Sequence, residues 1–455
     1  MVFSSLIFIY YFLPLSVISY YAVGNKYKNA VIAFYSLLFF FLGEPKYVWL
    51  LLTVVAISYI YGIIYLKSND FVRKFTKYIA IVGIFLFLLY YKYFDFMIEQ
   101  LNLAFGLNID LFKISLPLGI SFYVFQATSY VLDVYRKDIA PERSIINYIS
   151  YLTFFPQLIA GPIVRYKDVQ YNIYHKEVDF EKISRGIYRF ILGLGKKVLL
   201  ANQLGMISSI DNHGSTLIFW LKSIAFTLQI YFDFSGYSDM AVGMGQMFGY
   251  DFPENFNYPF ISKSVTEFWK RWHMTLSIWF REYLYIPLGG NKVSIGRWIL
   301  NIIVVWIFTG LWHGAGWNFI VWGLIMAIMI IMEKIFNKYL DRMPDFIRIF
   351  FTFIFINISF VIFESNTLTE AIYSLKTMFL LENLEFSNPL TVFYLKDNWF
   401  LIVISLIFSM PITSKVKLNE RLEKLVILVI SVIILYLSTA SLVGDSFNPF
   451  LYFRF

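Results

Sequence analysis

Apolar runs of about 20 residues recur along the chain, the length a helix needs to cross a hydrocarbon core about 30 Å thick. Hydrophobic residues make up 59% of the 455 residues and charged residues only 15%, whereas a soluble domain carries about 25% charged residues. The sequence therefore predicts an all-α polytopic membrane protein. We expect about eleven transmembrane helices plus short re-entrant and interfacial helices, in a single integral membrane domain over residues 1–455.

The distribution of charge predicts the orientation of these helices. Basic loops at 67–77, 334–348 and 415–424 alternate with acid-bearing segments at 92–113 and 364–397. Basic loops favour the cytoplasmic side, so both termini are expected outside. The formal net charge of +8 is dispersed between apolar runs, which fits anionic lipid better than nucleic acid. No basic residue precedes Lys26, so the first run is read as a retained span rather than a secretory signal.

The absence of cysteine excludes several kinds of site from this chain. Disulfides, thiolate metal sites and a cysteine-borne acyl intermediate all require a thiol. The four histidines are widely spaced and form no HxxH-like pair, so a metal site is not expected.

The stretch TGLWHGAGWNFIVWG, residues 309–323, contains His313 between two apolar runs. The first run, 298–308, has about 12 residues with its flank and would rise only about 18 Å as a helix. We therefore expect this leg to stop short of the membrane's width and to leave His313 within it. An ionisable residue at that depth is a candidate functional group. A hydrogen-bonded packing histidine at a helical turn is an equally weighted alternative.

A second unusual stretch, residues 255–291, carries His273 in an aromatic-rich segment. Ser264 followed by Glu267 predicts a helix start, and Glu267 with Arg271 is an i, i+4 pair. Eight of the eleven tryptophans fall between Trp269 and Trp322. An interfacial aromatic belt explains some of them, but it explains those beside His313 less well.

Two polar side chains lie inside other apolar runs. Gln126 is flanked by Ser121 and Thr128, and Asp233 lies in YFDFSGYSDMAVG together with Asp239. Acids in such surroundings are costly unless they are paired. A substrate contact and a bundle-facing, hydrogen-bonded role remain open for both Gln126 and Asp233.

The chain resembles the membrane-bound O-acyltransferase family, in particular the alginate O-acetyltransferase type of bacterial membrane subunit. The resemblance rests on long ordered strings along nearly the whole chain. They are MVFSS, GISFYVFQATSYVLDVYR, FFPQLIAGPIVRY, YFDFSGYSDMAVG, EFWKRWHMTLSIWFREYLYIPLGGN, GLWHGAGWNFIVWG and NPFLYFRF.

This resemblance implies an O-acyltransferase whose catalytic region covers about 255–335. His313 in the WHG string takes the place of the catalytic histidine, and His273 in RWH that of the second functional position. A neutral imidazole can accept the proton of an attacking hydroxyl, and acyl transfer also needs donors for the developing oxyanion. Candidate donor-binding side chains are Lys270, Arg271, Arg281, Arg297, Trp312 and Trp317, with Gln126 and Asp233 as further candidates. Contact with lipid headgroups explains the basic ones equally well.

The implied reaction moves an acetyl group from cytoplasmic acetyl-coenzyme A, with no bound cofactor, to an exported polysaccharide. It implies an extracytoplasmic SGNH-hydrolase-like partner, membrane lipid around the helices and a place in the bacterial cytoplasmic membrane. D-alanyl transfer to teichoic acid and peptidoglycan O-acetylation are the alternative reactions. A flippase or transporter is the non-enzyme alternative, but it would need inverted repeats with paired broken helices, and the sequence offers one broken hairpin.

Overall fold

The computed structural model describes residues 2–176, 179–211, 214–382, 384–412, 419–444 and 451. Within these ranges the regular structure is helical, apart from one isolated parallel bridge between Ser215 and Glu385. The predicted all-α class is therefore confirmed. The chain divides into two compact units, one of Met1–Ile191 with Tyr237–Glu254 and the other of Leu192–Gly236 with Asn255–Phe455.

The helices up to residue 174 belong to the first unit. They are α1 Phe8–Ala22, α2 Lys28–Gly43, α3 Pro45–Lys67, α4 Asp70–Phe105, α5 Ile120–Arg136, α6 Ile145–Leu152, α7 Phe155–Leu158 and α8 Tyr166–Tyr174. The two following helices contribute residues to both units, and they are α9 Phe180–Ser208 and α10 Thr216–Met247.

The remaining helices belong to the second unit. They are α11 Val265–Arg271, α12 Met274–Phe280, α13 Ile295–His313, α14 Trp317–Leu340, α15 Asp345–Glu364, α16 Leu368–Met378, α17 Pro389–Phe408 and α18 Glu420–Gly444. Their apolar faces meet in one core that includes Trp269, Trp306, Trp322 and Phe360.

Nine helices in the described part of the chain are long and apolar enough to cross a membrane. They are α3, α4, α9, α10, α13, α14, α15, α17 and α18. The predicted count of about eleven is therefore not confirmed. Part of the difference comes from α1, an apolar helix of fewer than 18 residues, and from α5, which buries polar side chains such as Gln126 and Asp133.

The hairpin of α13 and α14 departs from the sequence-based expectation. Helix α13 has 19 residues and rises about 28 Å at about 1.5 Å per residue, so the prediction that this leg stops short is wrong. The helix begins before the apolar run 298–308 and continues beyond it, through Gly310, to His313. His313 is therefore the last residue of a full-length helix and lies at the tip of the hairpin.

Glycines allow the two helices of this hairpin to touch through their backbones. A Cβ placed on Gly310 would lie 2.3 Å from the carbonyl oxygen of Phe319, and one on Gly323 would lie 2.3 Å from that of Trp306. A further Cβ, on Gly314, would overlap the Phe319 ring at 2.1 Å. Small residues are the usual means of close helix packing in membrane proteins. Here they fix the position of the turn that carries His313.

Helix α11 begins as the sequence predicts. The hydroxyl of Ser264 accepts a hydrogen bond from the backbone N–H of Glu267 at 3.0 Å, and Arg271 Nε pairs with the Glu267 carboxylate at 2.9 Å. The second carboxylate oxygen accepts from the backbone N–H of Lys263 at 2.9 Å. Both the predicted cap and the predicted ion pair are confirmed, and together they hold the short helix that precedes His273.

The backbone contact at Gly323 predicts the cost of adding one methyl group there. Gly323→Ala forces its Cβ against the Trp306 carbonyl, and overpacking of this kind typically costs about 1–3 kcal/mol. We expect a lower apparent melting temperature in detergent, measured by size-exclusion chromatography after heating. Gly296→Ala is the matched control on α13, because no atom lies within 4 Å of the added Cβ. Equal stability of the two variants would contradict the close backbone packing.

Candidate active site

His313 is enclosed by aromatic rings contributed by three helices. Its side chain is 4% exposed and both ring nitrogens are buried. The ring centroids of Trp312, Trp322 and Phe363 lie 5.0, 5.4 and 5.2 Å from that of His313, each close to perpendicular to it. We call these three rings the aromatic cage. The cage surrounds the imidazole with apolar surface and shields it from water.

His273 is fixed by a hydrogen bond to Asn255, in the chain segment before α11. It is fully buried and has a left-handed backbone with φ 43°, a conformation that is uncommon for residues other than glycine. Its Nδ1 lies 3.1 Å from Oδ1 of Asn255, which also accepts from the backbone N–H and the hydroxyl of Thr275 at 3.3 and 2.8 Å. The backbone carbonyl of Asn255 accepts from the N–H of Met274 at 2.9 Å. Asn255 therefore caps the start of α12 and orients His273.

This arrangement decides the tautomer of His273. A backbone N–H can only donate, so the Asn255 atom that faces Thr275 must be the oxygen rather than the amide nitrogen. That oxygen can only accept, and Nδ1 of His273 is therefore the protonated nitrogen. In the neutral ring Nε2 then carries the lone pair. His273 can accept a hydrogen bond or a proton on the side opposite Asn255.

The two histidines belong to one aromatic cluster. The ring of Trp312 lies 5.6 Å from that of His273 and 5.0 Å from that of His313. Phe234, on α10, packs against His273, and their ring centroids lie 4.6 Å apart. Two histidines 40 positions apart in the chain thus contact the same indole. Imidazoles can accept and release protons near neutral pH, as acid–base chemistry requires.

The other predicted donor-binding residues of the second unit are dispersed. Lys270, Arg281 and Arg297 have exposed side chains. Arg271 is engaged with Glu267 and donates from Nη1 to the carbonyl of Asn257 at 3.2 Å. Trp312 is buried, as a site residue would be, whereas Trp317 is 52% exposed at the start of α14.

Asp233 is held in a buried ion pair. Its carboxylate lies 2.7 Å from Nζ of Lys197, and both side chains are 2% exposed. The second oxygen accepts a hydrogen bond from the backbone N–H of Leu451 at 2.9 Å. These partners satisfy the requirement that a buried acid be paired. They support the structural alternative for Asp233, while its contact with substrate stays a prediction.

Gln126 belongs to the first unit, on α5. It is fully buried, and neither its amide nitrogen nor its amide oxygen has a hydrogen-bond partner among the described residues. Buried amides are normally satisfied, so the structure agrees with the bundle-facing position of Gln126 but shows no hydrogen bond of its side chain to the described residues. Its contact with a substrate stays a prediction.

Several residues of the site were not found from the sequence. Asn255 contacts His273 across 18 positions and Lys197 pairs with Asp233 across 36, and no local spacing connects such partners. The position of Lys197 inside an apolar run was a usable signal, because a buried acid requires a cation nearby. Nothing in the sequence distinguishes Trp322 from the tryptophans of an interfacial belt.

The buried pair predicts how single and double substitutions differ. Lys197→Met leaves the Asp233 charge buried and unpaired, and breaking such a pair typically costs about 3–5 kcal/mol. We expect a marked loss of monodisperse protein in detergent. The double variant Lys197→Met/Asp233→Asn removes both charges and keeps an acceptor for Leu451, so it should recover most of the yield. No recovery would contradict the pairing, and transfer activity in a recovered double variant would test whether Asp233 contacts substrate.

Comparison with known proteins identifies the family of this chain. Residues 140–371 match the model of MBOAT, the membrane-bound O-acyltransferase family. A probable alginate O-acetylase of Azotobacter vinelandii is 38% identical over 385 residues, which cover 82% of this chain and 76% of the relative.

Two further relatives act on other polymers. A peptidoglycan O-acetyltransferase of Helicobacter pylori is 32% identical over 419 residues, which cover 83% of this chain and 80% of the relative. A teichoic acid D-alanyltransferase of Bacillus subtilis is 29% identical over 273 residues, 55% of this chain and 69% of the relative. Acyl transfer is common to all three, so the resemblance inferred from the sequence is confirmed. The chain is a multi-pass membrane O-acyltransferase and belongs to the membrane-bound O-acyltransferase family.

Proposed function

We propose that this protein transfers acetyl groups from cytoplasmic acetyl-coenzyme A across the bacterial cytoplasmic membrane for O-acetylation of an exported polysaccharide. The observation that carries the proposal is the pair of buried histidines joined by Trp312, in a chain that shares most of its length with O-acetylases. An alginate O-acetylase is 38% identical and a peptidoglycan O-acetyltransferase 32% identical. Both relatives support acetyl as the transferred group.

His313 is proposed as the general base. Its imidazole accepts the proton of the attacking hydroxyl while the hydroxyl oxygen bonds to the thioester carbonyl carbon. The aromatic cage excludes water and so limits hydrolysis of the donor. The same proton then passes to the departing coenzyme A thiolate as the carbon–sulfur bond breaks. His273, fixed by Asn255, is proposed to orient the donor or the acceptor on the other side of Trp312.

The proposed donor site uses exposed basic residues on α11, directly after α12 and at the start of α13. Lys270, Arg281 and Arg297 are exposed, so they can meet a soluble phosphate-bearing donor with charge-assisted hydrogen bonds. The alternation of basic and acidic loops supports a cytoplasmic location for this surface and an outside location for both termini. Contact of the same side chains with lipid headgroups remains the competing interpretation.

The acceptor is proposed to be reached through a partner. Acetyl-coenzyme A is a cytoplasmic molecule, whereas a cell-surface polymer is outside, so the acyl group must cross at the site. We propose that the immediate acceptor is a hydroxyl of an extracytoplasmic SGNH-hydrolase-like acetyltransferase, which then modifies the polymer. Transfer of D-alanine from a carrier protein is the second candidate, and the 29% identity to a teichoic acid D-alanyltransferase supports it more weakly.

Substitution of His313 tests the proposed function. His313→Ala should lower acetyl transfer from acetyl-coenzyme A by about 10²–10⁴-fold, because loss of a general base typically has that effect. His313→Gln should be equally impaired while it keeps bulk and a hydrogen-bonding amide. The measurement is turnover by purified, monodisperse variants with radiolabelled donor and a hydroxyl acceptor.

The matched control is His175→Ala, since His175 is an exposed histidine stacked on Tyr171 in the first unit. It should keep wild-type turnover. Near-normal turnover of folded His313→Gln would contradict the proposed role. A wild-type protein that responds only to an acylated carrier protein would replace acetyl transfer with D-alanyl transfer.

A further inference from the structure

Two buried indole N–H groups, one of them in a ring that contacts His313, have no hydrogen-bond partner among the described residues. Trp322 on α14 is 1% exposed and Trp269 on α11 is 7% exposed. The ring nitrogen of each is buried, and neither donates to any acceptor in the part of the chain that the structure describes. A buried donor without an acceptor is costly, and native proteins rarely retain one without a function.

Both indoles belong to the rings around the candidate general base. The centroid of Trp322 lies 5.4 Å from the imidazole centroid of His313, with the two ring planes 87° apart. Trp269 lies 5.6 Å from Trp322, so it extends the same group of rings by one member. The two indole rings are therefore adjacent to one another, and that of Trp322 is also adjacent to His313.

The surroundings of these indoles are rigid. Trp322 is followed by Gly323, whose contact with the Trp306 carbonyl fixes α14 against α13. Trp269 packs against Trp306 at 4.8 Å, and Trp322 against Phe363 at 5.1 Å. Rings held in this way cannot turn to reach distant acceptors. A ligand that enters the site can supply the acceptor that the described residues do not provide.

The chemistry of acyl transfer calls for donors of this kind. When a hydroxyl oxygen bonds to the thioester carbon, the carbonyl π electrons move to the oxygen, which becomes an oxyanion. His313 holds the hydroxyl proton at that stage. Collapse restores the carbonyl, breaks the carbon–sulfur bond and returns the proton to the thiolate. Preorganised N–H donors stabilise the oxyanion strongly in a water-excluded site.

We propose that the indole N–H groups of Trp322 and Trp269 bind the carbonyl oxygen of the acyl donor and stabilise the oxyanion formed on it. This inference rests on the proposed function, because it assigns a role at the same site. It names Trp322 as the principal donor, since its ring contacts that of His313, and Trp269 as the supporting one. The ligand group is a thioester carbonyl, whether it is carried by coenzyme A or by a carrier protein.

Conversion of tryptophan to phenylalanine tests this assignment, since it keeps an aromatic ring and removes the N–H. Trp322→Phe should lower kcat by about 10²–10³-fold, the usual effect of losing one oxyanion donor, with KM changed by less than about threefold. Trp269→Phe should have a smaller effect in the same direction. Trp306→Phe is the matched control in the same cluster, because its ring nitrogen is not among the buried unpaired atoms.

An isosteric replacement separates hydrogen bonding from packing. At position 322, 3-benzothienylalanine keeps the shape of the indole and places sulfur where tryptophan has its N–H. It should reproduce the loss of kcat seen in Trp322→Phe, with the melting temperature of the wild-type protein. This variant keeps the test decisive if Trp322→Phe fails to fold.

Three outcomes separate this inference from the proposed function. Each variant is assayed with the acyl donor that the wild-type protein accepts. A kcat for the benzothienyl variant within a factor of two of the Trp306→Phe control would overturn the role of the indoles and leave the proposed function standing. A wild-type protein that transfers acyl groups from neither donor would overturn both. Loss of kcat in the benzothienyl variant, with a wild-type rate for the control, supports the inference.

Discussion

The backbone contact between α13 and α14 is the constraint on which the rest of the site depends. Gly310 and Gly323 bring a carbonyl of each partner helix to the place where a side chain would otherwise be. At the tip of the same hairpin, Trp312, Trp322 and Phe363 surround His313. In lipid, where apolar side chains gain little from association, such packing is the principal force between helices.

Buried polar interactions also hold the elements of the site in place. Asn255 orients His273 and caps α12 with the same side chain. The Lys197–Asp233 pair holds α9 and α10 residues of the second unit together, and it binds the backbone at Leu451. Each of these groups is buried, and a buried polar or charged group destabilises the fold when its partner is missing. Hydrogen bonds and an ion pair therefore support the site in addition to the packing of its aromatic rings.

Local patterns in the sequence predicted local structure well, and they failed where distant residues meet. The Ser264 cap and the Glu267–Arg271 pair depend on spacings of three and four residues, and both were found. The length of α13 was predicted wrongly because the helix continues through Gly310, which packs against Phe319 of the facing helix. Asn255, Lys197 and Trp322 acquire their surroundings only through the tertiary fold. His313 was predicted from its position between two apolar runs, and both histidines from the family resemblance.

The most direct test of the account is a structure of the protein with a coenzyme A analogue in which a ketone replaces the thioester. The ketone carbon should lie beside the His313 imidazole, inside the aromatic cage. The ketone oxygen should lie about 3 Å from the Trp322 indole nitrogen. The phosphates of the analogue should lie near Lys270, Arg281 or Arg297. An analogue bound specifically at another place, with its ketone out of reach of His313, would contradict the central claim that acyl transfer takes place at this histidine.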